Sequence, residues 1–153
     1  MRLGRRSLLV LTAGAVLASC SRKGPTAERR DLYPGETPEM RALIDRYAAV
    51  HDIPASLLHR VIQRESDYNA AARNGPYYGL MQIHPRTAQT MGYRGSPEGL
   101  LDGETNLIYA GRYLRGAWMV SRGDEDEAIM WYAKGYYYEA KRLGLLEETG
   151  LRG

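Results

Sequence analysis

The sequence predicts a single, mainly helical (all-α) domain. Apolar residues recur at three- and four-residue steps in several stretches, and those stretches are bounded by residues that start and stop helices. No stretch alternates with period two for long enough to make a strand. A chain of 153 residues is long enough for one such domain with a genuine core.

The first nineteen residues stand apart from that domain. Arg2, Arg5 and Arg6 precede a run that is apolar or small from Ser7 to Ala18, the order of a secretory signal. The run is too short to span a bilayer comfortably. Arg5-Arg6 before Ser7-Leu8-Leu9 also resembles a twin-arginine export signal, though without its fuller pattern. Leu17-Ala18-Ser19-Cys20 resembles the lipobox of bacterial lipoproteins, which implies that Cys20 is lipidated and becomes the mature N-terminus. An acyl anchor there would tether the domain to a membrane without crossing it. Ser21 after the cysteine is compatible with sorting to the outer membrane, facing the periplasm. Residues 20–36 carry Arg, Lys, Gly, Pro, Thr and Glu without periodicity and read as a flexible tether. The folded domain is therefore expected over residues 37–153.

Charge excludes one class of partner. The formal net charge of +3 equals the three arginines of the signal, which leaves 18 basic against 18 acidic residues in the rest. The basic character of the whole chain is thus no argument for nucleic-acid binding. Cys20 is the only cysteine, so no internal disulfide and no cysteine-based metal site can form. The aromatics are skewed to twelve Tyr and two Trp, with no Phe. Such rings suit stacking on sugars, but half-buried packing accounts for them equally well.

Taken in order, Thr37-Pro38-Glu39 reads as a cap, a first-turn proline and a first-turn acid, and Leu43, Ile44, Tyr47, Ala48 and His51 mark the inward face of the helix that follows. His51 and His59 have no second ligand at a recognisable spacing, so a metal role is not expected. Asp52-Ile53-Pro54 connects to a second helix, with Pro54 as its first residue. Leu57, Leu58, Val61 and Ile62 form its buried stripe, and the next positions on that stripe are Glu65 and Ser66. A carboxylate continuing an apolar face inward holds its proton to higher pH than a free one, as a general acid near neutrality requires.

An irregular segment from Asp67 to Tyr78 follows, with Asn74-Gly75-Pro76 as turn punctuation. Pro85 to Met91 is expected as a short helix stopped by Gly92, and Tyr93 to Asp102 as a loop. A long helix is expected from Gly103 to Val120, with Leu107, Ile108, Gly111, Leu114, Ala117 and Trp118 toward the core. Asp124 with Glu127 makes a capping arrangement for a helix through Trp131 and Tyr132. Gly135 breaks it, and Tyr136 to Leu145 resumes as the last helix.

Glu65-Ser66, Gly79-Leu80-Met81-Gln82-Ile83, Asp102 to Asn106-Leu107 and Trp131-Tyr132-Ala133-Lys134-Gly135 resemble, in order, the four motifs of the soluble lytic transglycosylase (SLT) domain family. The resemblance spans residues 40 to 142. It implies a lysozyme-like fold and an enzyme that cleaves the glycan strands of peptidoglycan without a cofactor. Glu65 then matches the single catalytic acid and base, Ser66 a support of the polar network, and Gln82 with the Gly79 to Ile83 backbone the cleft floor. Tyr132 matches a tyrosine whose hydroxyl lies near the carboxylate, and Asn106 a structural position. The substrate-binding set it implies is Ser66, Tyr78, Gly79, Met81, Gln82, His84 and Tyr132. The chain departs from the family pattern at Ala133 and Lys134, at His84 and at Pro76-Tyr77-Tyr78. Tyr77, Tyr78 and Tyr136-Tyr137-Tyr138 could line sugar subsites or pack between helices.

One carboxylate suffices for the reaction the resemblance implies. Glu65 protonates the glycosidic oxygen of the MurNAc–GlcNAc bond, and the 2-acetamido group steadies the sugar cation. The carboxylate then takes the proton of the C6 hydroxyl, leaving a 1,6-anhydro-MurNAc end. A goose-type lysozyme-like hydrolase and a non-catalytic glycan-binding or assembly module are the alternatives. Wall turnover and service to a wall-spanning secretion or assembly machinery are both open to such an enzyme.

Overall fold

The structure is a computed structural model that describes residues 31–152. Cys20, the signal and the first part of the expected tether lie outside the described residues. Among the described residues six α-helices carry the fold: α1 (Pro38–His51), α2 (Ala55–Ser66), α3 (Pro85–Thr90), α4 (Gly103–Val120), α5 (Glu125–Lys134) and α6 (Tyr137–Leu143). A two-residue antiparallel pairing, β1 (Arg73–Asn74) with β2 (Tyr77–Tyr78), and a 3-10 helix over Pro97–Leu101 complete it. The mainly helical class expected from periodicity is the one observed.

Local chemistry sets most helix starts. Thr37 accepts from the Met40 N–H at 3.2 Å, Asp102 from Thr105 at 2.8 Å and Asp124 from Glu127 at 2.9 Å, each satisfying an orphan donor of a first turn. Pro54 is the cap of α2 rather than its first residue. Its ψ of 135° is extended, so the helix begins at Ala55. The last helix is shorter than expected, because Tyr136 caps it and Gly144, at φ 73°, ends it in the left-handed region. Met91 likewise caps α3 instead of belonging to it. In the stretch expected to be a loop, Pro97 opens the 3-10 helix with a φ already suited to it.

Helix α4 is the spine against which α1, α3, α5 and α6 pack. Its buried line is Asn106, Leu107, Ala110, Gly111, Leu114, Ala117 and Val120. Ile108 was expected on that line but is 37% exposed, since one step along a helix turns it about 100° from Leu107. Small residues on the spine admit large partners: the His51 ring lies against Gly111 and the Tyr136 ring against Gly116. On α2, Leu57, Leu58, Val61 and Ile62 are buried as their spacing demands. Each contributes about 1.5–3 kcal/mol by leaving water.

The expected tether ends earlier than residue 36. The Glu36 side chain is fully buried and its oxygens meet the Arg41 guanidinium at 2.6 and 2.7 Å, while the Tyr33 N–H donates to it at 3.0 Å. His59 on α2 lies 3.8 Å from the same carboxylate and bonds the Tyr68 hydroxyl at 2.8 Å. Arg41 and the Tyr33 amide hold the Glu36 carboxyl below its ordinary value although burial opposes them. This ionic seat fixes the segment before α1 onto the back of α2.

The buried amide of Asn106 binds two loops to the spine. Its Nδ2 donates to the carbonyls of Tyr78 at 2.9 Å and Leu100 at 2.8 Å, and its Oδ1 accepts from the Met81 N–H at 3.0 Å. Replacing Asn106 with Ala strands all three backbone groups. The expected cost is about 3 kcal/mol, read as a fall in melting temperature of roughly 10 °C for a domain of this size. A shift of only a degree or two in calorimetry would show that the loops are held otherwise.

Candidate active site

Glu65 sits in the last turn of α2, where the buried stripe runs out into a cleft. Its side chain is 24% exposed, and Arg64 Nε lies 3.6 Å from its Oε1. Burial pushes the carboxyl above its ordinary value of 4.5, and the charge of Arg64 offsets part of that rise. The helix ends immediately beyond, with Asp67 and Tyr68 at φ 49° and 64°. Asp67 is exposed and lines no part of the cleft.

Two adjoining cavities, of about 350 and 290 Å³, make the cleft. Tyr77, Gln82, Tyr132 and Ala133 line both. Arg64, Glu65 and Asn74 complete the first arm. His84, Thr87, Tyr113 and Lys134 extend the second. Among the described residues, Glu65 is the only acidic one lining either arm.

The wall between the arms is a turn whose carbonyls are taken by side chains. Ser66 Oγ donates to the Leu80 carbonyl at 2.7 Å, and the Tyr132 hydroxyl donates to the Met81 carbonyl at 2.8 Å. Gln82 Nε2 donates to the carbonyls of Ala72 at 3.1 Å and Gly79 at 2.9 Å. Gln82 adopts φ 47°, a left-handed conformation that non-glycine residues enter at a cost of roughly 1–3 kcal/mol. Its Oε1 is buried without a hydrogen-bond partner among the described residues. Gly79 is required at φ 76°, where a Cβ would collide with Asn106 Nδ2 and the Leu100 carbonyl.

The residues expected at the site therefore divide. Glu65, Gln82, His84 and Tyr132 face the cleft. Met81 does not: its side chain is fully buried, and its carbonyl is committed to Tyr132. The Tyr78 ring is buried as well, with the Arg73 guanidinium 4.7 Å from its centroid, and its backbone pairs with Ile83. Ser66 and Gly79 shape the turn from behind. Of the tyrosines left open by sequence, Tyr77 lines the cleft, while Tyr136 is packing, its hydroxyl donating to the Tyr113 carbonyl at 2.8 Å. Tyr137 and Tyr138 are exposed and contact each other edge-on. Asn74, Thr87 and Tyr113 were not anticipated, because no periodicity marks a residue brought in by a loop or by the edge of another helix.

The Tyr132 hydroxyl titrates well above its ordinary value of 10.0, first from burial and then from the charges of Glu65 and Tyr113. Its proton is committed to the Met81 carbonyl, and the residue shares the first arm of the cleft with Glu65. A larger depression of about 810 Å³ lies among α1, α3, α4 and the segment after α6, away from Glu65. Its His51 is bonded to the Leu107 carbonyl at 2.9 Å, and its Arg115 to the carbonyls of His51 and Asp52. Those groups stabilise the fold and leave little for chemistry.

Comparison with known families finds that the profile described as Transglycosylase SLT domain matches residues 42–144. No solved structure matches the chain.

The raised Glu65 value makes a stability prediction with a definite sign. Below pH 4.5 the carboxyl is protonated in both folded and unfolded chains, so Glu65→Gln changes little. Above the elevated folded value both are ionised, and only the folded chain bears the desolvation. Melting temperature measured from pH 4 to 7 should therefore fall in the wild type relative to Glu65→Gln. A variant that loses ground as pH rises would mean the carboxylate is stabilised in place.

Proposed function

The chain belongs to the transglycosylase SLT domain family, whose activity is the lytic transglycosylation of peptidoglycan, and from that premise we propose that Glu65 performs the reaction alone. The proton held by Glu65 passes to the glycosidic oxygen as the C1–O bond between MurNAc and the next GlcNAc breaks. The 2-acetamido group of the same MurNAc stabilises C1. Glu65, now a carboxylate, removes the proton of the C6 hydroxyl, and the C6 oxygen bonds to C1. The products are a free 4-hydroxyl on one fragment and a 1,6-anhydro-MurNAc end on the other. No water is consumed and no electrons change hands.

The observation that carries this reading is the solitary carboxylate. Retaining glycosidases place a second carboxyl about 5 Å from the first, and inverting ones a wider pair that admits water. Among the described residues, no other acid lines either arm of this cleft. A nucleophile tethered within the substrate needs no second group to position it, because its effective concentration is already high. Tyr132 and the turn from Gly79 to Ile83 hold the cleft wall while the carboxyl changes role. Cys20 is proposed to carry the lipid that anchors the enzyme to the outer membrane, facing the periplasmic glycan.

Digestion of purified peptidoglycan followed by analysis of the new ends tests the reaction. Anhydro ends are expected, whereas free reducing ends would assign a goose-type hydrolase. Glu65→Gln, with its fold checked by calorimetry, should lower turnover by about 10²–10⁴-fold. Retained cleavage would remove Glu65 from the chemistry. For the anchor, Cys20→Ala should move the protein out of the membrane fraction, and an unchanged distribution would refute lipidation at that residue.

A further inference from the structure

The second arm of the cleft, beyond the wall shared with Glu65, has a composition that the cleavage step does not explain. Tyr77, His84, Thr87, Tyr113 and Lys134 all bring groups able to donate hydrogen bonds, and no acidic residue among the described residues lines this arm. His84 Nδ1 accepts from the Arg86 N–H at 3.1 Å, which leaves Nε2 to carry the ring proton as a donor. Lys134 is the last residue of α5, and no ion pair among the described residues engages it. Its neighbour is the Trp131 ring, 5.9 Å from Nζ to centroid. By contrast, Arg41, Arg46, Arg60, Arg115, Arg142 and Arg152 all meet carboxylates.

An arm that offers donors and a cation but no anion is complementary to a carboxylate. The glycan strand supplies one at a fixed place, since MurNAc carries a lactyl ether ending either in a free carboxylate or in a stem peptide with carboxylates of its own. We propose that the second arm binds a carboxylate of this MurNAc substituent through Lys134, with His84 and Tyr113 as supporting donors, and thereby selects the sugar that enters it. The inference rests on the peptidoglycan reading above. A lysine at a helix C-terminus also complements the helix dipole, but that role affects stability and is indifferent to what the strand carries.

The test uses three forms of purified strand: peptide-bearing, stripped to the free lactyl carboxylate by an amidase, and stripped then methyl-esterified. Lys134→Gln should reduce kcat/KM roughly fivefold on strands with a carboxylate the arm can reach, and little on the ester. Lys134→Arg should retain most of the wild-type value, and added salt should narrow the gap between wild type and Lys134→Gln. Loss on the peptide-bearing form alone assigns the stem carboxylates, loss on the stripped form alone assigns the lactyl group, and loss on both assigns an arm that accepts either; each of these upholds the site. Equal loss on the ester, or no loss on any form, overturns it. Dissociation constants measured on the same strands separate this idea from the proposed reaction. Absence of anhydro ends with charge-dependent binding through Lys134 retires the reaction and keeps the site. Normal cleavage indifferent to Lys134 does the reverse.

Discussion

A single primary amide at the start of the central helix holds the turn of the candidate site where it is. Asn106 donates to Tyr78 and Leu100 and accepts from Met81, so one buried side chain fixes backbone from the hairpin, the 3-10 segment and the turn between them. Gly79 completes the joint, because only a residue without a Cβ allows that amide so close. Buried backbone groups outside regular structure are costly unless partnered. Asn106 partners three, and the turn can then abandon helix and strand without abandoning its hydrogen bonds.

From that fixed turn the rest of the cleft follows. The Met81 carbonyl receives the Tyr132 hydroxyl, which ties α5 across to the turn, and the Leu80 carbonyl receives Ser66, which ties in the end of α2. Glu65 consequently sits at the end of α2 beside a turn tied to both helices, and its partial burial raises its carboxyl above the ordinary value. The back of α2 is secured independently by the buried Glu36–Arg41 pair and the bond between His59 and Tyr68. Truncating one partner of such a buried pair is more damaging than the pair is stabilising, so the segment before α1 belongs to the domain rather than to the tether.

The helices were legible in the sequence because their signals are local. Thr37, Asp102 and Asp124 cap where their side chains reach the next turn, and α4 runs over the residues its periodicity marks. Glu65 was legible for a similar reason, since a carboxylate on an apolar stripe is visible without knowing what it faces. The wall of the cleft was not. Met81 and Tyr78 stand beside Gln82 in sequence, yet their side chains point into the core while their backbones shape the site. A motif names the segment that builds a site but not which of its atoms face the substrate. Ile108 and the ends of α3 and α6 were misread for a smaller reason, as residues at the edge of a stripe or one position past a cap.

Left-handed backbone recurs at Asp52, Asp67, Tyr68, Gln82 and Arg122, and at Gln82 it coincides with a second departure from local rules. Gln82 combines a left-handed backbone with a buried amide oxygen that has no hydrogen-bond partner among the described residues, while its nitrogen is spent on two loop carbonyls. The left-handed backbone costs on the order of 1–3 kcal/mol and contributes nothing to the core. A glycine would relieve that cost but would lose the amide that fastens Ala72 to Gly79. The chain thus accepts strain at the wall shared by the two arms of the cleft in order to keep that wall rigid. Departures from local consistency are expected at functional sites, where position outweighs stability. That Gln82 lies between the lone carboxylate and the donor-lined arm is therefore itself an argument, independent of any motif, for where this protein works.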